Sequence, residues 1–201
     1  MSIVLKWQDV AGLERLSNAL GSLGDHKKHL VLQRAVNHTG AKARTQVVRA
    51  LSKQTGLPNK VIQRAVRVKR ASGASVKFYP GGSLAYVMTT RGGDIALKYF
   101  KAREVRRGVT ASPFGKRSLF EGAFMRGGKF PGRVHVPRFN GHVFERVGED
   151  RHPYELKKSG VIIPDEMLTG ATAAAFHKVV ERDLPARVSH EIDRLCPGIF
   201  S

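Results

Sequence analysis

The sequence predicts an α+β fold: a long N-terminal helix packed on an antiparallel β-sheet, with a C-terminal helix kinked or broken near Pro185. Three observations carry it. Apolar residues recur every three or four positions over 25–55, the period switches to two between 65 and 100, and the longer period returns over 165–195. The 201 residues leave room for one domain with a real core, since folding at this size removes roughly 70% of the extended chain's surface from water. Residues 1–24 read as an N-terminal segment and 25–201 as a single domain, with an irregular basic, Phe-rich insertion at about 101–141.

Asp25 is a good N-cap for the first helix, and Leu32, Val36, Thr39, Ala43, Val47 and Ala50 form its packing stripe. At 100° per residue these positions fall within about 80° of one another, while Lys27, Arg34, Lys42, Arg49 and Lys53 lie opposite. Gly56 suits the residue after the helix, and Pro58 opens a short second helix carrying Val61 and Ile62. From Ala65 apolar and basic residues alternate: Val66 and Val68 with Arg67 and Lys69, then, after Ser72-Gly73, Val76 and Phe78 with Lys77 and Tyr79. That alternation predicts a hairpin. Leu84 to Thr90 reads as a third strand and Ile95 to Phe100 as a fourth, separated by glycine turns, in one antiparallel sheet with a basic face.

Residues 101–141 lose clear periodicity and hold Phe114, Phe120, Phe124, Phe130 and Phe139 among Gly, Lys and Arg. His142 to Gly148 reads as a short strand and Val161 to Ile163 as another extended piece. The last helix then places Met167, Leu168, Ala171, Ala175, Val179, Val188, Ile192 and Leu195 on one face, interrupted at Pro185, which lacks a backbone donor.

The formal net charge is +19, and its distribution says more than its total. Residues 26–133 hold twenty-four Lys or Arg and three acids, and between His26 and Gly93 there is no Asp or Glu at all. Self-repulsion on that scale opposes a compact monomer and calls for an external counter-charge. Phosphates of nucleic acid, an anionic membrane and an acidic protein are the usual sources.

Catalytic signals are missing. Neither a phosphate-binding Gly-x4-Gly-Lys-Ser/Thr loop nor a Gly-x-Gly-x-x-Gly turn occurs. His135, His142 and His152 lack metal-ligand spacing, the acids of the last helix read as a solvated face, and Cys196 is the only cysteine. No catalytic, cofactor-binding or metal-binding residue is expected. No uncharged run reaches the roughly 18 residues of a membrane span, and the first residues do not read as a secretory signal. The chain is expected in a cell or in a particle assembled there.

Several fragments occur in a recognisable order: Gly122-Ala-Phe-Met, His142-Val-Phe-Glu-Arg-Val-Gly, Arg151-His-Pro-Tyr-Glu-Leu-Lys-Lys and Ile163-Pro-Asp-Glu-Met. Upstream stand Ala35-Val-Asn-His-Thr-Gly-Ala-Lys-Ala-Arg and Lys60-Val-Ile-Gln-Arg-Ala-Val-Arg-Val-Lys-Arg-Ala, and downstream Glu181-Arg-Asp-Leu-Pro-Ala-Arg-Val. Together they resemble the tailed-phage minor tail protein Z family of tail-completion proteins over about residues 25–195.

The resemblance implies a structural, non-enzymatic virion protein that completes the tail at its head-proximal end, works as a commonly sixfold ring and prepares head–tail joining. Its implied partners are other tail and head–tail connector proteins, with non-specific contact to genomic DNA and none to membrane. The host cytoplasm would hold it during assembly. Arg64, Arg67, Lys69, Arg70, Lys77, Arg103, Arg106 and Arg107 are the candidate basic residues facing a DNA channel or a partner. Phe114, Phe120, Phe124 and Phe130 are candidate inter-subunit loop residues. The alternative reading is a free nucleic-acid-binding protein that recognises phosphate backbone without sequence preference.

Overall fold

A computed structural model describes residues 2–5, 25–72, 84–195 and 197. The α+β class is as expected. The chain divides into two compact units: a helical unit from residues 1–50, 66–90 and 167–201, and a sheet-rich unit from 51–65 and 91–166.

The first helix, α1, runs Asp25–Thr55 with the bounds read from the sequence. In the helical unit it buries Val31, Leu32, Ala35, Val36, Ala43 and Val47. Each fully buried Val or Leu contributes about 1.5–3 kcal/mol. Beside it lies a three-stranded sheet of order β1-β3-β2, formed by β1 Ser2–Leu5, β2 Arg67–Lys69 and β3 Tyr86–Thr89. All its pairs are antiparallel, with Arg67 opposite Thr89 and Ser2 opposite Thr89 on the other side. Gly40 explains how closely helix and sheet approach: a Cβ there would lie 2.3 Å from the Tyr86 ring. Glycine in a helix interior costs about 1 kcal/mol relative to alanine, and here it makes room for that ring. Asn37 fastens the same face to the chain after β2. Its Oδ1 accepts the Ala71 N–H at 2.9 Å and its Nδ2 donates to the Ala71 carbonyl at 2.9 Å.

The C-terminal region forms α3 Ile163–Leu168 and α4 Gly170–Leu195. Pro185 lies inside α4, and the interruption falls at Thr169 instead. Helix α4 buries Phe176, Val179, Val180, Leu184, Val188 and Ile192. Met167 is buried as expected, whereas Leu168 and Ala171 are exposed, because the apolar stripe is counted afresh after the break.

In the sheet-rich unit, α1 ends through Thr55, whose Oγ1 donates to the Leu51 carbonyl at 2.6 Å and accepts the Leu57 N–H at 3.3 Å. Gly56 follows at φ +78°, the left-handed position that closes a helix. The short helix α2 is Asn59–Ala65. Strand β4 covers only Asp94–Ala96, and Leu97–Tyr99 form a 3-10 turn where the sequence predicts continued strand. The burial explains the change. Leu97 and Phe100 are both fully buried, and a spacing of three puts them on one side of a 3-10 turn but on opposite sides of a strand. Moreover β4 does not join β2 and β3; it pairs with β10 Lys158–Ile162. Asp94 secures this junction by accepting the Ser159 and Gly160 N–H groups at 3.1 and 2.8 Å.

The stretch read as aperiodic contains a three-stranded antiparallel sheet of β5 Arg103–Val105, β6 Gly108–Ala111 and β7 Ser118–Glu121. Its strands are three or four residues long, too short for a period to register. A final pair joins β8 Phe144–Arg146 to β9 Tyr154–Leu156. The expected second run of the hairpin, Val76 to Tyr79, lies outside the described residues.

Candidate functional site

The basic residues singled out from the sequence divide between the units. In the helical unit, β2 carries Arg67 and Lys69 outward with Val68 half-buried between them, and Arg70 is exposed just beyond. Among the described residues strand β2 borders its sheet, and cations on a border strand discourage pairing with a further chain. None of the three has a carboxylate within ion-pair distance among the described residues. Lys77 lies outside the described residues. In the sheet-rich unit, Arg64 is exposed in the last turn of α2. Arg103, Arg106 and Arg107 are exposed along β5 and its turn, and Arg107 pairs with Glu121 at 2.5 Å.

The four phenylalanines take different positions. Phe114 is 48% exposed and stands at φ +54°, in the left-handed region that a bulky residue seldom occupies. Phe130 is 44% exposed, and Phe120 is half-buried on β7. Phe124 is engaged in its own unit, its ring centroid 5.9, 6.0 and 5.8 Å from those of Phe139, Phe144 and Tyr154.

Three of these rings, Phe124, Phe139 and Tyr154, form the floor of a cavity of about 460 Å³. Backbone pairing builds it: Phe124 and Phe144 exchange N–H···O bonds at 2.9 Å, Gly127 and Val134 do so at 3.0 and 2.8 Å, and the β8–β9 register sets Arg146 opposite Tyr154. Glu104 anchors the wall, accepting the Met125 N–H at 2.9 Å and a charge-assisted bond from Arg133. Arg133 is thereby neutralised. Arg126, Arg138, Arg146 and Arg151 also line the cavity, are exposed, and have no carboxylate in ion-pair distance among the described residues. Arg146 lies over the Phe124 ring, 5.9 Å from its centroid, and Arg138 Nη2 reaches the Tyr154 hydroxyl at 3.5 Å. Of the lining residues only Phe124 is among the candidate site residues read from the sequence; Phe139 is named there as one of the phenylalanines of the irregular stretch, and the four exposed arginines are not candidates. Interleaving of Phe with Arg is the signal the sequence offers, but which rings meet is decided by pairings between 124 and 144 that no local period reveals.

Lys98 Nζ stands 2.8 Å from His142 Nε2. An ammonium only donates, so Nε2 accepts and the proton sits on Nδ1. Burial, and then the Lys98 charge, hold the His142 pKa below its ordinary value.

In the helical unit two carboxylates, Glu191 and Asp183, are paired with cations. Glu191 is fully buried between Arg187, which donates to it, and Arg34 at 3.7 Å. Asp183 meets Arg182 at 2.6 Å and Lys42 at 3.5 Å, and the Arg182 hydrogen bond chiefly holds its carboxyl below the usual range. Among the described residues no group of three or more His, Cys, Asp or Glu could hold a metal, and no helix is long and apolar enough to cross a membrane.

No solved structure matches the chain. A relative described as a tail completion protein, from Escherichia phage N15, is 28% identical over 176 residues, covering 86% of this chain and 88% of its own length. The family described as prophage minor tail protein Z matches residues 10–196. With nearly its whole length matched, the chain belongs to the prophage minor tail protein Z family.

Proposed function

We propose that the chain is a non-enzymatic tail-completion protein, built into the virion at the head-proximal end of the tail as a homo-oligomeric ring that readies the tail for head joining. Family membership and the N15 relative's description support the tail-completion role. The observation that carries the ring is electrostatic. The cations of β2 and α2 face outward without local carboxylates, and such a surface is stable where an assembly and its contents supply the counter-charge. Arg64, Arg67, Lys69 and Arg70 supply the positive surface in this reading, and exposed Phe114 and Phe130 reach neighbouring subunits. Residues 25–201 are read as one domain containing both compact units, and the way each unit draws on separated stretches of chain supports that reading. Assembly takes place in the host cytoplasm.

Electron microscopy of the purified protein and of isolated tails tests this: closed rings, located at one end of the tail, are expected. A protein that stays monomeric and is absent from virions overturns it. The same exposed cations favour one other reading, a free phosphate-backbone binder. That reading requires tight binding to duplex DNA with log K falling steeply against log salt, whereas a ring that lets a genome pass requires weak affinity.

A further inference from the structure

We propose that the arginine-rimmed aromatic cavity of the sheet-rich unit docks an extended acidic segment of a partner polypeptide, with one aromatic or large aliphatic side chain of that segment seated on the ring floor. This deepens the tail-completion reading by naming a docking surface, and it rests on that reading for the partner's place in the particle.

Charge complementarity selects the occupant. Arg126, Arg138, Arg146 and Arg151 surround the opening and no carboxylate lines it. Uncompensated guanidinium groups repel one another unless an anionic group enters. All four are arginines, whose planar forks bind carboxylates in pairs of parallel hydrogen bonds. The floor sets a second requirement. Phe124, Phe139 and Tyr154 present apolar ring surface that water solvates poorly, so the occupant must carry an apolar group as well as acids. A volume of about 460 Å³ accommodates one large side chain with its flanking backbone.

Nucleic acid meets these requirements less well. A duplex offers phosphates on a convex cylinder and keeps its bases stacked inside, so it could touch the rim but would leave the floor unfilled. Single strands fill such sites by stacking bases on flat ring faces. Here Tyr154 packs edge-on against Phe124, Phe139 and Phe144 at 75°, 71° and 81°, so the rings form an uneven apolar surface rather than a row of parallel faces on which successive bases would stack.

The test uses the full-length protein and fluorescent probes read by anisotropy: a peptide with a central tryptophan flanked by glutamates, the same peptide with glycine for tryptophan, and a single-stranded oligonucleotide of equal charge. The tryptophan peptide is expected to bind about tenfold or more tightly than either of the others, a difference of about 1.4 kcal/mol. Combining Arg126→Gln with Arg151→Gln should weaken it about tenfold, and Lys178→Gln, at an exposed position on the other unit, should leave it nearly unchanged. Equal weakening by all three substitutions, or preference for the oligonucleotide or the glycine peptide, overturns the proposal. Circular dichroism verifies that each variant is folded; if the double variant unfolds, Arg126→Gln alone must still weaken the tryptophan peptide more than Lys178→Gln does. Imaging the same samples separates the two readings. Rings that bind no peptide sink the docking site and leave tail completion standing, whereas peptide binding by a chain that never assembles does the reverse.

Discussion

In the helical unit, Val36, Val47, Leu184 and Val188 reach the interior from two helices whose apolar spacing runs for many turns. In the sheet-rich unit, Leu97, Phe100, Val109, Val143 and Val161 reach it from strands and turns of three to five residues. The first kind of burial is specified by local repetition, the second by single residues that tie distant stretches together, such as Glu104 to Met125 and Asp94 to Gly160. The sheet-rich unit should therefore depend more on individual side chains. Native-state hydrogen exchange, which reads each unit by its own amides, can check this.

The largest effect is expected at Phe100, fully buried below the 3-10 turn. Phe100→Ala should cost about 3–5 kcal/mol and release amides of the sheet-rich unit first. Equal release in both units would dissolve the contrast. Next comes a change whose sign is diagnostic. Gly40→Ala would gain about 1 kcal/mol if helix propensity alone governed α1. Because the added Cβ meets the Tyr86 ring at 2.3 Å, a net loss of about 1–3 kcal/mol is expected in denaturant melts. Asn37→Ala, which strands the buried Ala71 N–H, should cost about 1–3 kcal/mol.

A pH series sharpens the comparison further. His142 has its folded pKa held below 6.5, so as pH falls the unfolded chain takes up the proton first. Stability of the sheet-rich unit should decline as pH drops below about 6.5 and level off beneath the folded pKa, and His142→Gln should flatten that decline. His38, lowered by burial and by Arg187, should give the helical unit a matching decline that His142→Gln leaves in place. The smallest effect belongs to Arg107→Ala. Its ion pair with Glu121 is 74% and 64% exposed, and less than about 1 kcal/mol is expected from thermal melts at moderate salt.

The same contrast governs what can be read from sequence. Helix α1 is legible to its last residue because Asp25, a stripe of period near 3.6 and Gly56 agree. The break at Thr169 is not, since Pro185 is the stronger breaker by residue type yet sits in a helix whose packing continues past it. Strands β5 to β7 are hidden by their brevity, and the partner of β4 by a separation of more than sixty residues from β10. For the candidate site, the basic strand residues are legible because alternation is local. The aromatic floor is legible only as composition: Phe124, Phe139 and Tyr154 become one site through backbone pairing across loops.

The order in which the units draw on the chain matters during synthesis. The sheet-rich unit is complete once residue 166 has been made, but the helical unit, begun at its first strand and helix, must wait for α4. Until then the apolar stripe of α1 lacks a helix that shares its unit, and a nascent chain in that condition exposes surface on which copies adhere. A chain stalled before α4 is thus expected to aggregate more readily than the finished protein.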